Sequence, residues 1–129
     1  MINSDTPDIL KDIVELKRVR VEERKKSLSM LQLEDLISKA ERPLNFSGRL
    51  MGDGIRVIAE VKRASPSKGI FKEALDAANL ARTYAENGAA AISVLTNEDH
   101  FKGSIDDMAA AHSAVFTLGV PVLRKEFIF

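Results

Sequence analysis

Hydrophobic patterning divides the chain into two stretches. From Ile9 to Leu50 apolar residues recur at helical spacing, whereas from Arg56 onward short apolar runs alternate with helical segments. In the first stretch Ile9, Leu10, Ile13, Leu16, Lys17, Val19 and Val21 form a mixed apolar stripe, opposite Lys11, Glu15, Arg18 and the charged run Glu22–Lys26. This predicts an amphipathic helix of roughly five turns. Asp8 is a candidate cap for a start at Ile9, and Thr6 before Pro7 is the competing one. Residues Met1 to Pro7 are polar and expected to fray. After a break at Ser27–Met30, a second helix is expected over Leu31–Ala40 with Leu33, Leu36 and Ile37 inward, ended by Pro43. Asn45–Leu50 predicts a short turn or helix, and Met51–Gly54 a connector.

The second stretch predicts buried strands over Arg56–Lys62, Ala89–Leu95 and Val120–Arg124. Between them lie a loop Arg63–Ile70, a helix Ala74–Glu86 stopped at Asn87-Gly88, a polar loop to Gly103, and a helix from Ile105 to about Phe116 closed by Leu118-Gly119. Leu75, Ala78, Leu80, Ala81 and Tyr84 are expected on the inner face of the first of these helices. Ser104 is the expected cap of the second, with Asp107 three residues on completing a loose capping box. Strand–helix–strand–helix–strand with short connections implies right-handed crossovers and a parallel sheet, hence an α/β fold.

Composition narrows the function classes. The 129 residues carry 19 Lys+Arg and 19 Asp+Glu, so charge points to neither nucleic acid nor an acidic membrane. With no Trp and only 6 Phe and 1 Tyr, a stacking platform for single-stranded nucleic acid is disfavoured. There is no Cys, and no apolar run or leader pattern that marks a membrane span or a secretory signal. A cytoplasmic protein without a nucleic-acid or membrane partner is the expectation.

Candidate chemistry gathers at the strand ends, where parallel α/β architectures hold ligands. In Val57–Gly69, Glu60 and Lys62 alternate onto the same side of the strand, and their apolar flanks do not fit a solvated surface pair. Ser65 and Ser67 follow in the first loop, Thr96, Asn97 and Phe101 lie beyond the second strand, and Lys125 and Phe127 at the third. Two converging lysines can bind an anionic substrate, lower each other's proton affinity, and be tuned by burial toward proton transfer; Glu60 would hold one of them charged. The alternatives are lysines that snorkel from strand ends and phenylalanines that fill a core. Ser67 and Lys68 read as ordinary loop residues, His100 as a loop side chain, His112 as a helix-surface one, and Arg63 and Arg124 as packing or surface ion-pair residues.

The segments VIAEVKRASPSKG, YAENGAAAISVLTNEDHFKGS and GVPVLRKEF, in that order and spacing, resemble the indole-3-glycerol-phosphate synthase family, as does ILKDIVELKRVRVEERK ahead of them. The resemblance implies a (β/α)8 TIM barrel with an amino-terminal helical extension, here residues 1–54 followed by a partial barrel of three strands and two helices over 55–129. It implies closure of the pyrrole ring of 1-(2-carboxyphenylamino)-1-deoxyribulose 5-phosphate with loss of carbon dioxide and water, without metal or organic cofactor. Lys125 matches the general acid that protonates the ribulose carbonyl. Lys62 matches the second catalytic lysine, in contact with the substrate's anionic groups, and Glu60 the carboxylate beside them. Ser65 matches a polar residue of the first loop near substrate. Phe101 and Phe127 match aromatics that enclose the anthranilate ring.

A barrel of this kind takes about 250 residues. The family's general base for dehydration and its phosphate-binding loops lie on later strands than those present here. The apolar ending Pro121–Phe129 implies a chain cut just after a buried strand. The 129 residues alone are therefore expected to be inactive, as part of an enzyme that acts as a monomer or fused to a neighbouring pathway enzyme. A noncatalytic binding or scaffold module is the alternative.

Overall fold

A computed structural model describes residues 6–72 and 74–129. The expected fraying at the amino terminus concerns mostly residues 1–5, which lie outside these. The chain forms two compact units, one ending at Arg42 and one spanning Pro43–Phe129.

The first unit contains α1 (Asp8–Ser27) and α2 (Met30–Lys39). Asp8 does not cap α1. Pro7 occupies the N-cap position with no side-chain hydrogen bond, and Asp8 is the first helical residue. Its carboxylate meets Lys11 Nζ at 3.3 Å and lies at the positive end of the helix dipole. Ile13 and Lys17 are the buried residues of α1, one helical turn apart, while Val19, assigned to the stripe, is exposed. Helix α2 begins one residue earlier than expected because Ser29 and Gln32 close a reciprocal capping box. Ser29 N–H donates to Gln32 Oε1 (2.9 Å), and Gln32 N–H donates to Ser29 Oγ (3.3 Å). The expectation that Leu33, Leu36 and Ile37 point inward is corrected. They are 40%, 55% and 64% exposed, because amphipathic spacing defines a face without supplying an element to cover it.

The second unit opens with α3 (Phe46–Leu50), capped by Asn45 Oδ1 accepting from Gly48 N–H at 2.9 Å. It continues through β1 (Ile58–Val61), β2 (Ala64–Ser65), β3 (Gly69–Ile70), α4 (Ala77–Glu86) and β4 (Ala91–Leu95). It closes with α5 (Glu98–Phe101), α6 (Ile105–Val115), a 3-10 turn over Phe116–Leu118, and β5 (Val122–Lys125). Strands β1, β4 and β5 form a parallel sheet in the order β1-β4-β5, which makes this an α/β unit.

That order corrects the expectation of three buried strands. Only β4 has neighbours on both sides, and only β4 is buried along its whole length. In β1 Ile58 is exposed and Val61 alone is buried, while Leu123 to Lys125 of β5 are exposed. Both are edges.

Paired residues of neighbouring strands share a face. Ala59, Val61, Ile92, Val94 and Val122 lie on the side covered by α4 and α6, where they join Ala77, Ala81, Ala111, Val115 and Val120 in the core. The small Ala81 and Ala111, both fully buried, let the two helices lie close to each other and to the sheet. The other face carries Glu60, Ser93 and Leu123 in one row and Leu95 and Lys125 in the next.

Two connections differ from expectation. Residues 64–70 form a minimal antiparallel hairpin, with Ala64 opposite Ile70 and Ser65 opposite Gly69. Pro66 presets the turn, and Gly69 takes the left-handed conformation at φ 70°. The expected helix from Ala74 begins only at Ala77, because Asp76 Oδ1 accepts from Asn79 N–H at 3.0 Å and so sets the start.

Candidate active site

The carboxyl ends of β1, β4 and β5 bring three expected residues together. Glu60 reaches both lysines: Oε1 lies 3.2 Å from Lys62 Nζ, and Oε2 accepts from Lys125 Nζ at 2.6 Å. The two outer strands stand about 9.5 Å apart, twice the normal spacing. The side chains bridge that gap, and the residue of β4 in register with Glu60 is the small Ser93. Ser93 was not singled out from sequence. The signal was a lone hydroxyl residue in the apolar run Ile92–Leu95.

Burial of Glu60 raises its affinity for a proton. Hydrogen bonds from Lys125 and then Lys62, with the charges of both, outweigh that effect and hold the carboxyl below its ordinary value. The Lys125 side chain is 54% exposed, so the Glu60–Lys125 pair adds about 0.2–1 kcal/mol to stability. Lys62 Nζ also stands 5.3 Å from the centre of the Phe71 ring, just beyond β3, a contact that sequence reading missed.

Phe101 and Phe127 meet with ring centroids 6.1 Å apart and planes tilted by 41°. Each is half-buried. Phe101 ends α5, the short helix inside the expected polar loop, so His100 belongs to a helix and not to a loop. Gly103 then passes so close to β4 that an added Cβ would lie 2.0 Å from the Leu95 carbonyl oxygen. Only glycine permits this approach.

Asn97 is 4% exposed and serves the scaffold. Its Oδ1 caps α5 by accepting from His100 N–H (2.9 Å), and its Nδ2 donates to Glu126 Oε1 (3.2 Å). Glu126 Oε1 also accepts from the Phe127 backbone N–H at 2.9 Å. One buried amide thereby ties the helix bearing Phe101 to the strand end bearing Lys125 and Phe127.

Ser65, in β2, has its hydroxyl 3.5 Å from that of Ser67. The expected capping box at Ser104 forms only in half. Ser104 Oγ accepts from Asp107 N–H at 3.0 Å, while the Asp107 carboxylate goes to Arg63, 2.8 Å from Nε and 2.6 Å from Nη2. Arg63 is thus the ion-pair residue expected, and it anchors the base of the hairpin to α6. Arg124 Nε donates to Thr96 Oγ1 at 3.2 Å. His112 is half-buried, with its ring centre 5.1 Å from that of Phe116.

The sequence model of the family described as indole-3-glycerol phosphate synthase matches residues 10–129. The chain belongs to this family. It is 45% identical over 120 residues to the indole-3-glycerol phosphate synthase of Mycolicibacterium vanbaalenii, covering 93% of this chain and 43% of that protein. It is 42% identical over 121 residues to the indole-3-glycerol phosphate synthase of Dehalococcoides mccartyi strain CBDB1, covering 93% and 47%. The chain therefore spans less than half the length of these curated relatives. Among the described residues no helix is long and apolar enough to cross a membrane.

Proposed function

We propose that this chain supplies the general-acid and anion-binding part of an indole-3-glycerol phosphate synthase active site. The observation that carries the proposal is Glu60 bonded to Lys62 and Lys125 at once, at the carboxyl ends of two strands that are not neighbours. In this reading Lys125 Nζ donates a proton to the ribulose carbonyl oxygen of 1-(2-carboxyphenylamino)-1-deoxyribulose 5-phosphate as the aromatic carbon attacks the carbonyl carbon. Lys62 binds the substrate's anionic groups, and Glu60 holds both ammonium groups aimed at one place before substrate arrives. Phe101 and Phe127 enclose the anthranilate ring and exclude water, and Ser65 approaches the substrate from the hairpin. Carbon dioxide and water then leave, with neither metal nor organic cofactor required.

The parallel sheet, covered by helices on one face and lined with Glu60, Ser93 and Lys125 on the other, fits the first three strands of a (β/α)8 barrel whose interior is that second face. Residues 1–54 would be its helical extension and 55–129 its first part. The enzyme would act in the cytoplasm, as a monomer or fused to a neighbouring pathway enzyme.

The test joins residues 1–129 to the remaining part of the Mycolicibacterium vanbaalenii relative. Formation of indole-3-glycerol phosphate by a soluble, folded fusion is the expected result, and none by residues 1–129 alone. A folded fusion without turnover overturns the assignment, and turnover by the 129 residues alone overturns the division of labour.

A further inference from the structure

At the opposite end of the sheet from Lys62 and Lys125, a polar pocket opens where β1 and β4 begin. It holds about 180 Å³ and is lined by Gly48, Arg49, Met51, Arg56, Gly88 and Ala90. That volume is well above the minimum for one water molecule and leaves room for a single tetrahedral oxyanion.

Both arginines lie beside this space. Arg49, at the end of α3, has Nε 3.5 Å from the Ala90 carbonyl oxygen, which holds its stem toward the entry of β4. Arg56 precedes β1, and its Nη2 lies 3.0 Å from where a Cβ on Gly52 would stand. Gly52 has φ 103°, a left-handed conformation that suits glycine, and it leaves this space beside Arg56 open. No acidic side chain lines the pocket, and no ion pair of either arginine with a carboxylate occurs among the described residues. Two like-charged guanidinium groups line one polar space with no carboxylate to balance them, which favours entry of an anion. Guanidinium is the side chain best shaped to hold phosphate oxygens pairwise.

We infer that Arg49 and Arg56 form a binding site for a small tetrahedral oxyanion, free phosphate or the terminal group of a phosphomonoester, at the amino-terminal end of the sheet. The site is independent of the proposed catalytic end, since it shares no residue with it.

The test is a titration of the 15N-labelled chain with inorganic phosphate, holding ionic strength constant with sodium chloride so that general screening does not change. The amides of Gly88 and Ala90 shift saturably, and Arg56→Gln weakens the apparent affinity about tenfold or more. Glycerol 3-phosphate as a second titrant separates the two sources. Saturation by phosphate alone assigns the site to the free ion, and saturation by both assigns it to the phosphoryl group in general. Arg56 is exposed, and mapping in the unmodified chain carries the test even where a variant folds poorly. A linear, unsaturable response overturns the inference. So does a saturable one confined to residues around Lys62 and Lys125, or one that Arg56→Gln leaves unchanged.

Discussion

Lys125 Nζ stands 2.6 Å from Glu60 Oε2 although a whole strand, β4, runs between their own strands. Ser93 lies in register with Glu60 on one side and Leu123 on the other, while Leu95, two residues on, is in register with Lys125. A residue larger than Ser93 would fill the space that the two side chains cross. Ser93→Leu is therefore expected to separate Glu60 from Lys125 and to abolish turnover in the fusion enzyme, while Ser93→Ala keeps most of it. A crystal structure and kcat of each variant provide the check. Full activity in Ser93→Leu would show that the bridge across β4 is dispensable.

Lys125→Ala in the fusion enzyme is expected to lower kcat by roughly 10²–10⁴-fold with a much smaller change in KM, because the proton is needed only in the transition state. Steady-state kinetics at saturating substrate decides this. An unchanged kcat removes Lys125 from the acid role.

The pH dependence follows from Glu60. Its carboxyl is held below the ordinary value in the folded chain, since bonds from Lys125 and Lys62 exceed the opposing effect of burial. An unfolded-state glutamate titrates near about 4.3. The folded state thus favours the charged form, and the stabilisation is fully present above the unfolded value and lost as pH falls through the folded one. Urea denaturation at pH 6 and again below pH 4 should show the unmodified chain losing up to about 1 kcal/mol more than Glu60→Gln across that window. Equal losses in the two proteins would mean that the lysines do not stabilise the Glu60 carboxylate.

Gly103→Ala tests how the Phe101 helix is seated. With a Cβ only 2.0 Å from the Leu95 carbonyl oxygen, the chain must move away from the end of β4. A loss of about 1–3 kcal/mol in urea denaturation is expected. The Phe101–Phe127 contact should loosen with it, visible as a loss of nuclear Overhauser effects between the two rings. A variant as stable as the parent, with those effects intact, would show that this approach tolerates a side chain.

The chain by itself determined the kinds of element and their order. Alternating apolar runs and helical spacing are local properties, and so were the α/β class, the parallel pairing implied by strand–helix–strand order, and the placing of Glu60, Lys62 and Lys125 at strand ends. Blocks of residues around those positions also carried the family. Tertiary structure decided what depends on neighbours distant in sequence. Strand order made β1 and β5 edges and left only β4 buried, which no pattern within Arg56–Lys62 or Val120–Arg124 encodes. The exposed stripe of α2 is the same lesson, since a sequence gives the face of a helix and not what lies against it. Asp107, legible as half of a capping box, was drawn instead to Arg63, a charged partner 44 residues away. Ser93 and Gly103 had no chemistry of their own to announce them. Their importance is the space they leave for groups that the fold brings from elsewhere, and that space exists only once the sheet has formed.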